Sequence, residues 1–101
     1  QRAHYQEALA AALASGVTVL AGTDGAGPGC LADEIALLAD LGMSPADALA
    51  AGSSGARAYL GRPGFVLGAT ADLVTYHDDP RDDPAILKRP AAIIRRGTRV
   101  K

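Results

Sequence analysis

One aspartate, placed in an apolar and glycine-rich stretch, is the residue of this sequence best positioned to do chemistry. Asp24 lies three residues beyond the short β-branched run 17–21 (VTVLA). In open α/β sheets and in (β/α) barrels, catalytic and ligand-binding groups gather beyond the carboxyl ends of the strands. An aspartate among glycines also commonly caps a turn by bonding its own backbone. The residues alone leave both interpretations of Asp24 open.

The glycines around Asp24 suggest a second kind of site. The segment 22–29 (GTDGAGPG) lies between a predicted strand and a predicted helix, where a phosphate or dinucleotide loop would present its backbone N–H groups to an anion. The segment ends in Pro28-Gly29-Cys30, whereas a Walker loop ends in Gly-Lys-Ser/Thr. The Rossmann pattern requires a third Gly three positions after the second, and an acid at the end of a following strand, so the spacing fits neither fingerprint. The carboxylate of Asp24 would also repel an anion. Nucleotide binding is therefore the weaker alternative.

The remaining nucleophiles and metal-ligating residues lack partners at the spacing that catalysis requires. His4 and His77 are isolated, and the sequence contains no HxH or HExxH motif. Ser53 and Ser54 lie in a GSSG segment without the preceding strand of a nucleophile elbow, so a helix break is the better interpretation. Cys30 has no basic neighbour in sequence to lower its pKa, which favours packing at a helix start.

The residues before the Asp24 loop predict a helix followed by a strand. Residues 3–15 are rich in strong helix formers, and Tyr5, Leu9 and Leu13 recur on one face. Gly16 stands where a left-handed cap usually ends a helix. The apolar run that follows predicts a strand, Val17–Ala21, buried on both faces.

The residues after the loop predict further helices. Residues 30–41 predict a second helix that Gly42 ends. Its apolar stripe consists of Leu31, Ile35, Leu38 and Leu41, and its acidic residues lie off this stripe. Ser44 and Pro45 are a favoured N-cap and first helical residue, so they predict a third helix that pauses at the GSSG segment and resumes up to Leu60.

The character of the chain changes near residue 62, from helical to strand-like sequence. Short β-like runs follow at 65–67, 72–76, 91–95 and 98–100. The Arg96-Gly97 pair between the last two runs predicts a tight hairpin turn. We therefore predict that the two runs pair across this turn and join 72–76 in one small sheet.

Composition predicts a thin core. Of the 101 residues, 22 are Ala, and Leu, Ile, Val and Phe together account for another 22. A domain of this length buries a modest share of its surface. The expected structure is a set of closely packed, alanine-faced helices, or a chain whose partner surface is missing.

Charge and hydropathy argue against several classes of function. Residues 1–56 carry six acids and one base, whereas residues 57–101 carry nine bases and five acids. The bases are dispersed and aromatic residues are few, so no nucleic-acid partner is expected. No apolar run reaches membrane-spanning length, and the first residues do not resemble a signal peptide. With a single cysteine, a cytoplasmic location is expected.

Four blocks of the sequence together carry a family resemblance. They are GVTVLAGTDG (Gly16–Gly25), LADEIALLADLGMSPADALAAGSSGARAYLG (Leu31–Gly61), GATADLVTYHDDP (Gly68–Pro80) and PAAIIRRGTRV (Pro90–Val100). In this order and at this spacing they resemble the C-terminal end of a metal-dependent amidohydrolase, in its imidazolonepropionase-like branch. The resemblance covers nearly the whole chain and departs at Thr70, where the family usually has Lys.

The resemblance implies an α/β fold made of the end of a (β/α)₈ barrel and part of a small β-sandwich. Val17–Ala21 would be the last barrel strand, and the helices up to Leu60 the last barrel helices. We therefore predict two units, 1–62 from the barrel and 63–101 from the sandwich. The chain begins with Gln rather than Met, so we expect it to be a piece of a longer protein.

The resemblance also implies a role for Asp24. It matches the family's aspartate after the final strand, which binds metal and handles the proton of the attacking water. The parent enzyme would hydrolyse an amide, or a related C–N or ester bond, in a small-molecule substrate, using a divalent metal such as zinc. The family's histidines and its bridging lysine or glutamate are not in this sequence. We therefore expect the chain alone to bind metal weakly and to be inactive.

The expected partners are the rest of the barrel or a second copy of the chain, with no membrane or nucleic-acid partner. The alternative function is a non-catalytic interaction fragment that associates through its exposed helical face. The reading frame upstream of Gln1 discriminates between these hypotheses.

Overall fold

Helices occupy the first part of the described chain, and a small sheet occupies the second. The computed structural model describes residues 2–22 and 30–101. The helices are α1 (Arg2–Ala14), α2 (Cys30–Asp40), α3 (Pro45–Ala51) and α4 (Ser54–Tyr59). The strands are β1 (Leu73–Thr75), β2 (Ala92–Arg95) and β3 (Thr98–Arg99), with a 3-10 helix, Pro84–Lys88, between β1 and β2. The fold is thus mixed α/β, as predicted.

The predicted helix ends are confirmed to within a few residues. Gly16 follows α1 with φ +78°, and Gly42 follows α2 with φ +129°. Both angles lie in the left-handed region, which glycine adopts without steric cost. The Ser44 hydroxyl oxygen accepts the backbone N–H of Asp47 at 3.1 Å, and Pro45 is the first residue of α3. Local sequence chemistry therefore sets these boundaries.

The core is small and lies between α2 and α3. Its buried residues in the described chain are Ile35, Met43, Ala48 and Ala51. The methyl side chains of α3 allow close approach to α2, and Ala48 is fully buried. Partly buried apolar residues pack around this cluster, from α1, the 17–22 segment, α2 and the 3-10 helix: Leu9, Val19, Ala21, Leu38, Ala39 and Leu87. The expected thin core is therefore observed.

The sheet is antiparallel in the order β1-β2-β3. Val74 is paired with Ile93, and Ile94 with Arg99. Beyond β3, the Val100 N–H donates to the Ile93 carbonyl at 2.8 Å. The predicted hairpin and its union with β1 in one sheet are confirmed.

Two predicted strands are wrong in this chain. Residues 17–22 have no regular secondary structure, and Val17 is 54% exposed. Residues 65–67 likewise form no strand, and Phe65 and Leu67 are almost fully exposed. β-branched and aromatic residues favour strands only where a neighbouring strand pairs with them. For neither segment does the described chain supply such a neighbour.

The described helices are all too short, or too polar, to cross a membrane. The longest of them, α1, has 13 residues.

Candidate functional site

The segment 23–29, which carries Asp24, is preceded by a residue that is hydrogen-bonded to α3. The Ala21 N–H donates to the Ala51 carbonyl at the end of α3, at 3.0 Å. The described chain resumes at Cys30, the first residue of α2. Asp24 itself lies in 23–29, outside the described residues, and so does the glycine-rich loop. The catalytic and metal-binding roles of Asp24 therefore stay predictions.

Gly52 makes the junction before this loop compact. A Cβ atom built on Gly52 would lie 2.7 Å from Cδ1 of Ile35 and 3.6 Å from Cβ of Ala21. The first distance is shorter than a real carbon–carbon contact, and Ile35 is buried in the core. The absence of a side chain at Gly52 thus lets the residues before the loop, α2 and the end of α3 meet closely.

The described residues do not fit a resident metal ion on their own. Within 2–22 and 30–101, no three His, Cys, Asp or Glu side chains come together in a group that could hold a metal. A catalytic zinc has three protein ligands and an open position. A metal site that includes Asp24 would need further ligands from outside the described residues.

Both histidines are exposed, and Ser53 has a structural role. His4 is exposed on α1, with its ring 5.9 Å from that of Tyr5, and His77 is exposed after β1. The Ser53 hydroxyl donates to the Leu49 carbonyl at 2.6 Å, which satisfies the end of α3 at the break before α4. The interpretation of the GSSG segment as a helix break is confirmed.

An apolar groove runs between α1 and α2, with a volume of about 530 Å³. Its lining residues are Tyr5, Leu9, Leu37, Leu38 and Leu41. The apolar stripe predicted for residues 30–41 included Leu38 and Leu41 but not Leu37, which is 47% exposed. The signal was the Leu37-Leu38 pair, because two adjacent leucines widen the apolar arc of a helix beyond a single stripe.

A second hollow, of about 340 Å³, lies beside α4 and combines opposite charges. Arg57, Arg62 and Asp72 are among its lining residues. The Arg57 guanidinium donates through Nη1 to the Pro63 carbonyl at 3.1 Å and so holds the turn that follows α4. Arg57 is bonded to the backbone, and the Asp72 carboxylate lies nearby. The hollow is therefore better explained as a structural junction than as a ligand-binding site.

Two aspartates of the acidic segment 78–83 stabilise the local backbone by hydrogen bonds. The Asp79 carboxylate accepts hydrogen bonds from the Arg81 side chain, at 2.7 Å from Nη2, and from the Arg81 backbone N–H at 2.9 Å. These bonds lower the pKa of Asp79 from 3.8 to about 2. Asp83 caps the 3-10 helix by accepting the Ala85 N–H at 3.0 Å. Partial burial raises the pKa of the neighbouring Tyr76.

The sequence analysis did not predict the 3-10 helix, although its signal was present. Asp83-Pro84 combines a favoured N-cap residue with a favoured first helical residue. The helix brings Leu87 against the core, and Lys88 Nζ lies 2.6 Å from the Asp33 carboxylate of α2. It therefore joins the chain between β1 and β2 to the helical core.

Comparisons with known proteins give relatives that are considerably longer than this chain. No protein-family profile matches the sequence. Uncharacterized protein Rv2915c of Mycobacterium tuberculosis (strain H37Rv) is 46% identical over 92 residues, which cover 88% of this chain and 25% of the relative. Uncharacterized protein Mb2939c of Mycobacterium bovis gives the same values. The chain thus spans a quarter of the length of the curated relatives it matches.

A solved structure resembles the fold over most of this chain. The crystal structure of a "putative prolidase" from Bifidobacterium longum matches with a TM-score of 0.81 and 31% sequence identity. The match covers 91% of this chain and 25% of the Bifidobacterium protein. At a coarse level, the chain is similar to part of a hydrolase.

Proposed function

We propose that this chain is the C-terminal quarter of a metal-dependent hydrolase of the amidohydrolase type. The observation that carries the proposal is the likeness to the Bifidobacterium protein named as a prolidase, at a TM-score of 0.81 over 91% of the chain. In this proposal, residues 1–62 complete a (β/α)₈ barrel and residues 63–101 complete a small β-sandwich. The 17–21 segment becomes a strand once neighbouring barrel strands pair with it.

The proposed reaction is hydrolysis of an amide, or a related C–N or ester bond, in a small molecule. In this proposal Asp24 would supply one carboxylate ligand to a divalent metal, most simply zinc, which when bound would lower the pKa of a water toward neutrality. The Asp24 carboxylate would accept the proton of the attacking water and pass it to the leaving group. The other ligands come from the rest of the longer polypeptide, so the 101-residue chain is not active by itself. A cytoplasmic location remains a prediction.

The packing before the Asp24 loop supports this role. The Ala21 N–H donates to the Ala51 carbonyl at 3.0 Å. Gly52 packs so closely against Ile35 that a side chain at position 52 would have no room. A catalytic carboxylate is more effective when the residues that position it are fixed, because a small displacement lowers the reaction rate greatly. In the proposed role, this junction would support Asp24 from three residues earlier in the chain.

Replacement of Asp24 by Asn in the longer polypeptide tests the proposal. We expect turnover to fall about 10²–10⁴-fold, the usual contribution of a positioned acid–base group, with the fold retained. The matched control is Asp33→Asn. Asp33 is exposed and pairs with Lys88 at the surface, where an ion pair contributes little. Asp24→Asn turnover within a few-fold of the unaltered enzyme would make Asp24 a turn residue only.

A further inference from the structure

We draw no further inference here: the strongest candidate, the exposed apolar surface patch formed by Phe65, Val66 and Leu67 between α4 and β1, carries none because nothing in the structure shows what covers it.

Discussion

The Asp72 carboxylate accepts a hydrogen bond from the backbone N–H of Arg96 at 2.8 Å, although 24 residues separate them. The Gly97 N–H also donates to the Ala71 carbonyl, at 2.9 Å. Arg96 and Gly97 both have positive φ, +50° and +80°, as the type I′ turn of a hairpin requires. These bonds fasten the hairpin turn to the chain entering β1 and close one end of the sheet.

Replacement of Asp72 by Ala should loosen this end of the sheet. We expect the free energy of unfolding to fall by about 1 kcal/mol, the usual net contribution of one hydrogen bond. Asp72→Asn keeps an oxygen acceptor and should lose less. Urea unfolding and amide hydrogen exchange at Arg96 measure both effects. Unchanged exchange at Arg96 in Asp72→Ala would show that the bond does not form in solution.

Gly55→Ala should destabilise the longer polypeptide although alanine is the better helix former. A Cβ atom on Gly55 would lie 2.8 Å from the carbonyl oxygen of Ala50, a backbone atom that cannot move alone. Overpacking of this kind costs about 1–3 kcal/mol. Gly64→Ala is the control, because nothing lies within 4 Å of its built Cβ. Thermal unfolding should separate the two variants, and equal melting temperatures would contradict the close contact.

The pKa of Asp79 should lie below the ordinary value of an aspartate. Hydrogen bonds from the Arg81 side chain, then from its backbone N–H, hold the pKa of Asp79 at about 2, below the ordinary 3.8. A folded-state pKa below the unfolded value means that the interaction is fully present above about pH 4 and is lost as the pH falls through about 2. NMR titration of the carboxyl carbon measures this midpoint. In Arg81→Gln the midpoint should rise toward 3.8, and no rise would remove the Arg81 side chain as the cause.

The 101-residue chain on its own should self-associate or remain partly molten. With no other segment covering the α1–α2 groove, Tyr5 and Leu37 stay in contact with water. Leu37→Ser should shift the sedimentation profile toward monomer, whereas Leu60→Ser, also exposed but outside the groove, should shift it less. A compact monomer with a cooperative unfolding transition, seen by analytical ultracentrifugation and calorimetry, would favour an autonomous domain.

Local signals predicted the helices and the hairpin because each of these elements contains its own determinants. Ser44 and Pro45 begin α3 with their own side chains, and Gly42 ends the preceding helix through its backbone. The Arg96-Gly97 pair sets the turn and with it the β2–β3 register. Each of these features needs only residues that are close in sequence.

The two predicted strands that do not form, and the groove that was not predicted, depend on residues far away in sequence or outside the described chain. Val17 belongs to a run of strong strand formers, yet a strand forms only where another strand pairs with it. The described chain pairs this run at Ala21 with the end of a helix instead. Leu37 lay outside the predicted apolar stripe because periodicity identifies one helix face and not the neighbour that covers it. Asp24 was singled out by its position after an apolar run, and its role stays a prediction.

Zinc titration of the 101-residue chain and of the longer polypeptide, side by side in a calorimeter, tests the central claim most directly. The account predicts stoichiometric, tight binding by the longer polypeptide, weaker binding by its Asp24→Asn variant, and only weak binding by the 101-residue chain, because a catalytic zinc needs three protein ligands. A tight stoichiometric site in the 101-residue chain alone would contradict the account. So would a longer polypeptide that hydrolyses its substrate equally well after chelation and after Asp24→Asn.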